Sequence, residues 1–509
     1  MPSISPLRNF FRQASLGELL LWCLPAMACG ALARGMLVAH FPYTYVHPDS
    51  EDFLITADRF LNHHHRFVLH GKKAFLGPVL FLLPMLLRIP SLLIVSWAQH
   101  LLGLLYTVMV GAIVRSWTAL WRWWIVPATV LATLNPNVLY YEHALIAESQ
   151  YLFCLTALGL AGCAYALART RRRFILLLLT LLLTAGSRPE GKLFILFCLL
   201  LVPLLHWRQW RNLALVGGIT LAFSFLTWRS TRNTQAGVLL YATLLPLAPE
   251  TPKSAPDFGP LIAPLRNERL ARGVLAMPDF VIEQKQINHV VYPYLKSKHL
   301  SITTAGAFCQ KLAVEAALNR PLLLPLIVCD KFLLGTESPS NDGFGKYRMQ
   351  DIQIRSCTYK PWMLKLMPRL TGLPIHSRDD LIAYIHREFT PVRPDWPGAL
   401  QQFWLRLTTG ARIPFPGQRT DTPGIPLFYL LGAAGMLTGI LRAGPMQKLH
   451  LAWVITLGFT ASVVMLTGVV NARYRFVFEP FALLYLFVLA DGIAALIARR
   501  PPPLKPMPN

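Results

Sequence analysis

Phe174-Ile175-Leu176-Leu177-Leu178-Leu179-Thr180-Leu181-Leu182-Leu183-Thr184 is apolar but for two threonines, and it follows directly on Arg169, Arg171, Arg172 and Arg173. In water such a block would aggregate. In a lipid bilayer it is at home, because a helix satisfies its own backbone groups and its leucines face acyl chains. Blocks of this kind recur along the chain with cations between them. The composition agrees: 54% of residues are hydrophobic and 15% charged, where a soluble domain carries about 25% charged residues. The chain reads as an all-α polytopic membrane protein.

The formal net charge is +24, from 49 basic and 25 acidic residues. The cations sit in short clusters between apolar blocks, as in Arg208 with Arg211 and Arg499 with Arg500. That distribution is the positive-inside pattern of cytoplasmic loops and suits anionic membrane lipids, so no nucleic-acid partner is expected. Arg8 and Arg12 ahead of the first apolar block read as the flank of an uncleaved first span with the N-terminus inside.

Apolar length and charge bias together give about ten transmembrane helices: 16–41, 91–114, 123–134, 146–167, 174–185, 192–205, 213–228, 425–441, 451–470 and 476–497. The expected organisation is a transmembrane catalytic module over 1–229 with a first outer loop at 42–90, a large extracytoplasmic loop domain over 230–424, closing helices over 425–498 and a cytoplasmic tail at 499–509. Within the first loop, Phe53, Leu54, Ala57, Phe60 and Leu61 recur at helical spacing, which predicts an interfacial amphipathic helix. The proline-bounded stretch 74–90 reads as a re-entrant or interfacial helix. Cys309, Cys329 and Cys357 fall in the large loop with no metal-like spacing, and their disulfide state is left open.

In this topology the acids of His47-Pro48-Asp49-Ser50-Glu51-Asp52-Phe53 follow the first span on the outer side. Three carboxylates in four positions fit a helix start, with Asp49 as the cap and Asp52 completing a capping box. They equally fit a base that takes a proton from an acceptor hydroxyl at the membrane surface. Lys72, Lys73, Arg188, Arg473 and Arg475 lie near the same boundary, where the positive-inside rule does not place them. Each alone is a snorkelling anchor; together they suit a phosphate or diphosphate at headgroup depth. His63, His64 and His65 cannot share one helix face, so they read as an interfacial loop rather than a metal set. Tyr141, Glu142, His143, Glu148 and Glu190 are further polar candidates. Glu148 stands out among them, since an acid inside an apolar helix is costly and usually functional.

Four stretches resemble the polyprenyl-phosphate-dependent, GT-C type glycosyltransferases, the group that contains protein O-mannosyltransferases and aminoarabinose transferases. Pro48-Asp49-Ser50 with Phe53 and Ala57 is similar to the family's first acidic motif, with Phe53 in place of tyrosine. Lys73-Ala74-Phe75-Leu76-Gly77-Pro78 stands where many members carry an Arg-x-Pro-Gly-Tyr-Pro segment. Asn135-Pro136 through Tyr140, Glu142 and Ala147-Glu148-Ser149 looks like its Asn-Pro, aromatic, then acidic helix start. Arg188-Pro189-Glu190-Gly191, and Arg473-Tyr474 with Glu479-Pro480, look like its later signatures. The resemblance covers most of 15–230 and 425–498.

The resemblance implies an enzyme of the bacterial inner (plasma) membrane with its site on the outer face, moving a sugar from a polyprenyl-phosphate donor to an acceptor hydroxyl with inversion. Asp49 becomes the general base, with Glu51 or Asp52 as helper or contact to a divalent metal ion, whose requirement is left open. Lys72, Lys73, Arg188, Arg473 and Arg475 become phosphate ligands, with Tyr474 beside them. The acceptor is undetermined among protein, glycan and lipid. The rival readings are a transporter or flippase for a lipid-linked substrate, whose signature is charge deep within spans, and a non-catalytic membrane scaffold.

Overall fold

A computed structural model describes residues 16–41, 44, 50, 53–54, 56–57, 76–77, 79–87, 92–205, 211–212, 214–218, 234–272, 280–337, 374, 376–377, 379–380, 383, 396–413, 424–442, 444–467 and 478–498. These residues are overwhelmingly helical. In chain order the helices are α1 (Leu16–His40), α2 (Leu83–Leu86), α3 (Leu93–Trp117), α4 (Trp121–Thr133), α5 (Pro136–His143), α6 (Glu148–Leu167), α7 (Arg171–Ser187) and α8 (Ile195–Leu205). There follow α9 (Thr234–Leu244), α10 (Gly259–Arg272), α11 (Phe280–Ser297), α12 (Ala305–Asn319), α13 (Leu324–Glu337) and α14 (Trp396–Thr409). The last three are α15 (Leu427–Leu441), α16 (Pro445–Thr467) and α17 (Glu479–Ile497). A two-residue antiparallel pair, Arg412–Ile413 with Ile425–Pro426, leads into α15.

Five helices among the described residues are long and apolar enough to cross a membrane: α1, α3, α6, α16 and α17. α12 and α13 would make a sixth only as one span bent by 96°. The helices α4, α7, α8 and α15 fall where the sequence places spans but are shorter; the 13 residues of α4 rise about 20 Å against a hydrocarbon core of about 30 Å. Most of 213–228 lies outside the described residues. In the first loop, Phe53, Leu54 and Ala57 are buried, and Phe53 stacks on Phe81 with ring centroids 5.0 Å apart. Within 74–90 the backbone forms a 3-10 turn, Val79–Leu82, that runs into α2.

Polar contacts define the two ends of the bundle. At one end Glu18 at the start of α1 meets Arg122 at the start of α4, 2.5 Å apart. There too Asp491 near the end of α17 accepts from the amides of Ala119 and Leu120 and pairs with Arg442 after α15. The other end holds the close of α1, the starts of α3, α6 and α17, and all of α5. The alternation of helices follows the sequence reading, and Arg122 and Arg442 gather at one end.

The main core runs through α1, α3 to α8, α16 and α17, around Trp121, Tyr151, Phe197, Trp453 and Tyr485. The segment before α14 has its own core, built by α9 to α13 around Tyr241, Phe258, Ile262, Val291 and Leu312. A smaller cluster joins Trp404 of α14 to Phe428, Tyr429 and Leu483. Close helix approach sets some residue choices: a Cβ at Gly435 of α15 would overlap the carbonyl oxygen of Tyr485 in α17.

Candidate functional site

The candidate site is built around one buried stretch, residues 135–149, every one of which is buried. It begins with a helix start that the sequence specifies locally. Asn135 caps α5 by accepting from the amides of Asn137 and Val138, and Pro136 occupies the first turn, where no amide is needed. After His143 the helix stops, and the backbone runs through a turn at 144–147 before α6 resumes at Glu148. Irregular backbone at such depth must find partners within the protein. Ser50 Oγ donates to Leu145 O at 2.7 Å and Gln99 Nε2 donates to Ile146 O at 2.7 Å. Ser96 Oγ of α3 lies 2.8 Å from Thr44 Oγ1 and 3.2 Å from His143 O. Ser50, the residue at the centre of the acidic motif, is thereby pinned onto this turn.

Three charged or polar clusters radiate from the stretch. In the first, Arg34 of α1 grips Glu142 through two bonds, Nε to Oε2 at 2.8 Å and Nη2 to Oε1 at 2.7 Å. Its remaining nitrogen, Nη1, donates to Gly30 O and to Thr133 Oγ1, each at 3.0 Å. His100 Nδ1 lies 2.9 Å from Glu142 Oε2, and His100 Nε2 lies 3.2 Å from His143 Nδ1. Arg34 and Glu142 are 2% and 0% exposed, so each is affordable only because the other is there. Burial pushes His143 well below the ordinary histidine range; the neighbouring His100 acts the same way, and a backbone hydrogen bond with Phe41 opposes them. His143 is therefore neutral. Gly103 of α3 is required by this cluster, because a Cβ there would overlap the Glu142 carboxylate.

In the second cluster Arg188 Nη1 donates to Glu148 Oε1 at 2.5 Å, and its Nε and Nη2 donate to the two oxygens of Glu190 at 3.1 Å each. The guanidinium also lies over the Tyr151 ring, 5.7 Å from its centroid. Two carboxylates thus surround one cation. The first-loop segment is tied in here as well: Leu76 N donates to Gly186 O at 2.8 Å, and Gln150 Nε2 donates to Leu76 O at 3.0 Å. In the third cluster Glu479 Oε1 accepts from Asn137 Nδ2 at 3.2 Å and from the Trp404 indole, while Gln401 Nε2 donates to Asn137 Oδ1 at 3.1 Å. Helix α14 is thereby fastened to α5 and α17.

Of the residues singled out from sequence, the structure brings together Glu142 with His143 and Glu148 with Arg188 and Glu190. Tyr141 is buried, with Tyr140 edge-on at 5.1 Å. Asp49, Glu51, Asp52, Lys72, Lys73, Arg473, Tyr474 and Arg475 lie outside the described residues, as do His63, His64, His65 and Cys357. Among the described residues no group of three or more His, Cys, Asp or Glu could hold a metal ion. Cys309 and Cys329 are free thiols.

Sequence reasoning missed Arg34, His100 and the acceptor role of Glu479. The signal was present in the first two: a lone arginine in the second turn from the end of α1 and a lone histidine in α3 interrupt otherwise apolar helices, where ionisable groups mark function or a buried partner. The chain matches no protein-family model, no curated protein and no solved structure.

Proposed function

We propose that this chain is a membrane glycosyltransferase of the GT-C type, moving a sugar from a polyprenyl-phosphate donor to an acceptor hydroxyl on the extracytoplasmic face. One observation carries the reading: Ser50 of the acidic motif is bonded to the turn flanked by Glu142, His143 and Glu148. In this reading the motif that supplies the base is tied, through Ser50, to a buried stretch that carries Glu142, His143 and Glu148. In this mechanism Asp49 takes the acceptor's proton, since an aspartate with a pKa near 4 is ionised at neutral pH and free to accept. Glu51 and Asp52 assist it or hold a divalent cation. Lys72, Lys73, Arg473 and Arg475 receive the phosphate that leaves. Arg188 joins them only by exchanging Glu190, its more exposed carboxylate, for the phosphate.

The test is lipid extraction from the purified protein followed by mass spectrometry, combined with turnover of the lipid so identified. Asp49→Asn is expected to abolish sugar transfer while the folded protein stays in the membrane. Near-normal turnover in that variant removes Asp49 as the base. A second reading, a carrier for a charged or proton-coupled substrate, is favoured by the buried Arg34–Glu142–His100–His143 chain, which reaches into α1 and α3. The two readings separate on whether the sugar–phosphate bond of the donor is broken in detergent, where no vectorial movement exists.

A further inference from the structure

We infer that the elbow between α12 and α13 is a membrane-docking surface that sits in the lipid of the leaflet bordering the candidate site. The inference is independent of the proposed chemistry. The two helices meet at 96° around Asn319, Arg320 and Pro321, and together they meet the length and hydropathy of a span that neither reaches alone.

One face of α12 is committed to the core of its own segment, through Cys309, Leu312, Ala313 and Ala316. The opposite face is bare and becomes apolar toward the bend: after Lys311 come Val314, Leu318, Leu322 and Leu326, with Leu318 74% and Leu322 89% exposed. Pro321 and Pro325 are exposed between them. A run of leucines and prolines turned outward in this way marks a surface made for an apolar partner.

Three observations identify that partner as lipid. First, α13 is seated on helices of the bundle itself. Buried Lys331 donates to Thr243 Oγ1 at 2.7 Å, Thr243 Oγ1 lies 3.2 Å from Leu466 O of α16, and Phe332 packs edge-on against Tyr429 of α15 at 5.5 Å. Secondly, Leu466 lies at the end of α16 opposite Pro445, so α13, which leads away from the elbow, is anchored beside a spanning helix at its end near the candidate site. The outward residues of that helix, Ile455 and Phe459, are themselves exposed and apolar. Thirdly, exposed Lys311 and Arg320 flank the leucines. An interfacial helix buries its apolar face about 5–10 Å below the headgroups while cations meet lipid phosphates, and this face has that arrangement.

The test uses the full-length protein in vesicles of phosphatidylethanolamine and phosphatidylglycerol, in a background where Cys29, Cys329 and Cys357 are serine. Leu322→Cys and Leu326→Cys carry an environment-sensitive fluorophore, and Lys253→Cys, exposed on the same segment, is the control. Both leucine positions are exposed, so neither substitution disturbs packing. The expected result is loss of fluorescence at 322 and 326 with brominated acyl chains and none with aqueous iodide, the reverse of the control. Quenching of 322 and 326 by iodide places the elbow in water and overturns the inference. Shielding from both quenchers places a second protein over the elbow and overturns it equally.

Discussion

Arg188 and Glu148 are 40 residues apart in sequence and 2.5 Å apart in the structure, with Glu190 completing the grip on the guanidinium. The pair joins the start of α6 to the turn after α7. It also means that Arg188 is held by carboxylates when no phosphate is near.

The variants at this cluster should therefore rank by what each leaves behind. Arg188→Gln takes its arginine partner from the buried Glu148 carboxylate, and breaking such a pair costs about 3–5 kcal/mol. Glu148→Gln leaves Arg188 still paired with Glu190 and should cost clearly less. The double variant, with no charge stranded at 148, should recover most of the Arg188→Gln loss. Thermal unfolding in detergent reads the order, and an Arg188→Gln protein as stable as Glu148→Gln would refute it.

That cluster also shows what a sequence can and cannot reveal. Long apolar blocks depend on composition within one segment, so the helical class and the positions of the long apolar helices could be read directly. Glu148 could be flagged because an acid in an apolar helix is a local anomaly. Its partner could not be deduced: Arg188 was legible as a cation at a boundary, but whether it faces lipid phosphate or a carboxylate 40 residues away is set by helix packing. Arg34 and Glu142 repeat the lesson across 108 residues.

Gly103 and Gly35 give a paired test of the Arg34 cluster. A methyl at Gly103 meets the Glu142 carboxylate and forces apart the bidentate grip, whereas nothing lies within 4 Å of a methyl at Gly35. Gly35→Ala should be neutral or stabilising by up to about 1 kcal/mol, the helix propensity difference. Gly103→Ala should destabilise by about 3 kcal/mol or more, on the scale of a broken buried pair. Equal melting temperatures for the two variants would show that the carboxylate moves aside at no cost.

In the α9–α13 segment Asp257 lies 2.5 Å from Lys298 Nζ and accepts from the Tyr294 hydroxyl at 2.8 Å. The hydrogen bond from Lys298, then that from Tyr294, holds the Asp257 carboxyl below its usual value of 3.8, while Asp257 raises Lys298 above 10.5. A carboxyl whose folded pKa is depressed contributes stability above its unfolded pKa and loses it as pH falls through the folded one. Lysine contributes below its unfolded pKa and loses the contribution as pH rises past the folded value. The pair thus acts between those limits. Asp257→Asn should lower the melting temperature slightly at pH 7, and the gap should close below pH 3.8. The effect is small because both groups are solvated. A gap that persists at low pH would assign it to something other than the ion pair.

At the far end of the bundle Asp491 ties three elements together. Its Oδ1 accepts from Leu120 N at 2.8 Å, and its Oδ2 accepts from Ala119 N at 2.9 Å and from Arg442 Nη2 at 2.7 Å. Arg442 in turn donates to the carbonyl oxygens of Trp117 and Val488. One carboxylate thus satisfies the amides leading into α4 and holds the turn after α15. Asp491→Asn keeps one acceptor oxygen but turns an amide NH2 toward donors, so at least one backbone amide loses its acceptor and the guanidinium loses its opposite charge. Asp491 is 2% exposed and Arg442 26%, which places the loss near the lower end of the roughly 3–5 kcal/mol for a broken buried pair. Arg442→Lys should cost less than Asp491→Asn, because the carboxylate keeps both amides and a charge partner while the fork to Trp117 and Val488 is reduced to a point donor. Melting temperatures in one detergent, measured side by side, decide between this ordering and its reverse. The reverse would mean that the guanidinium's hold on the two carbonyls outweighs the cap on α4.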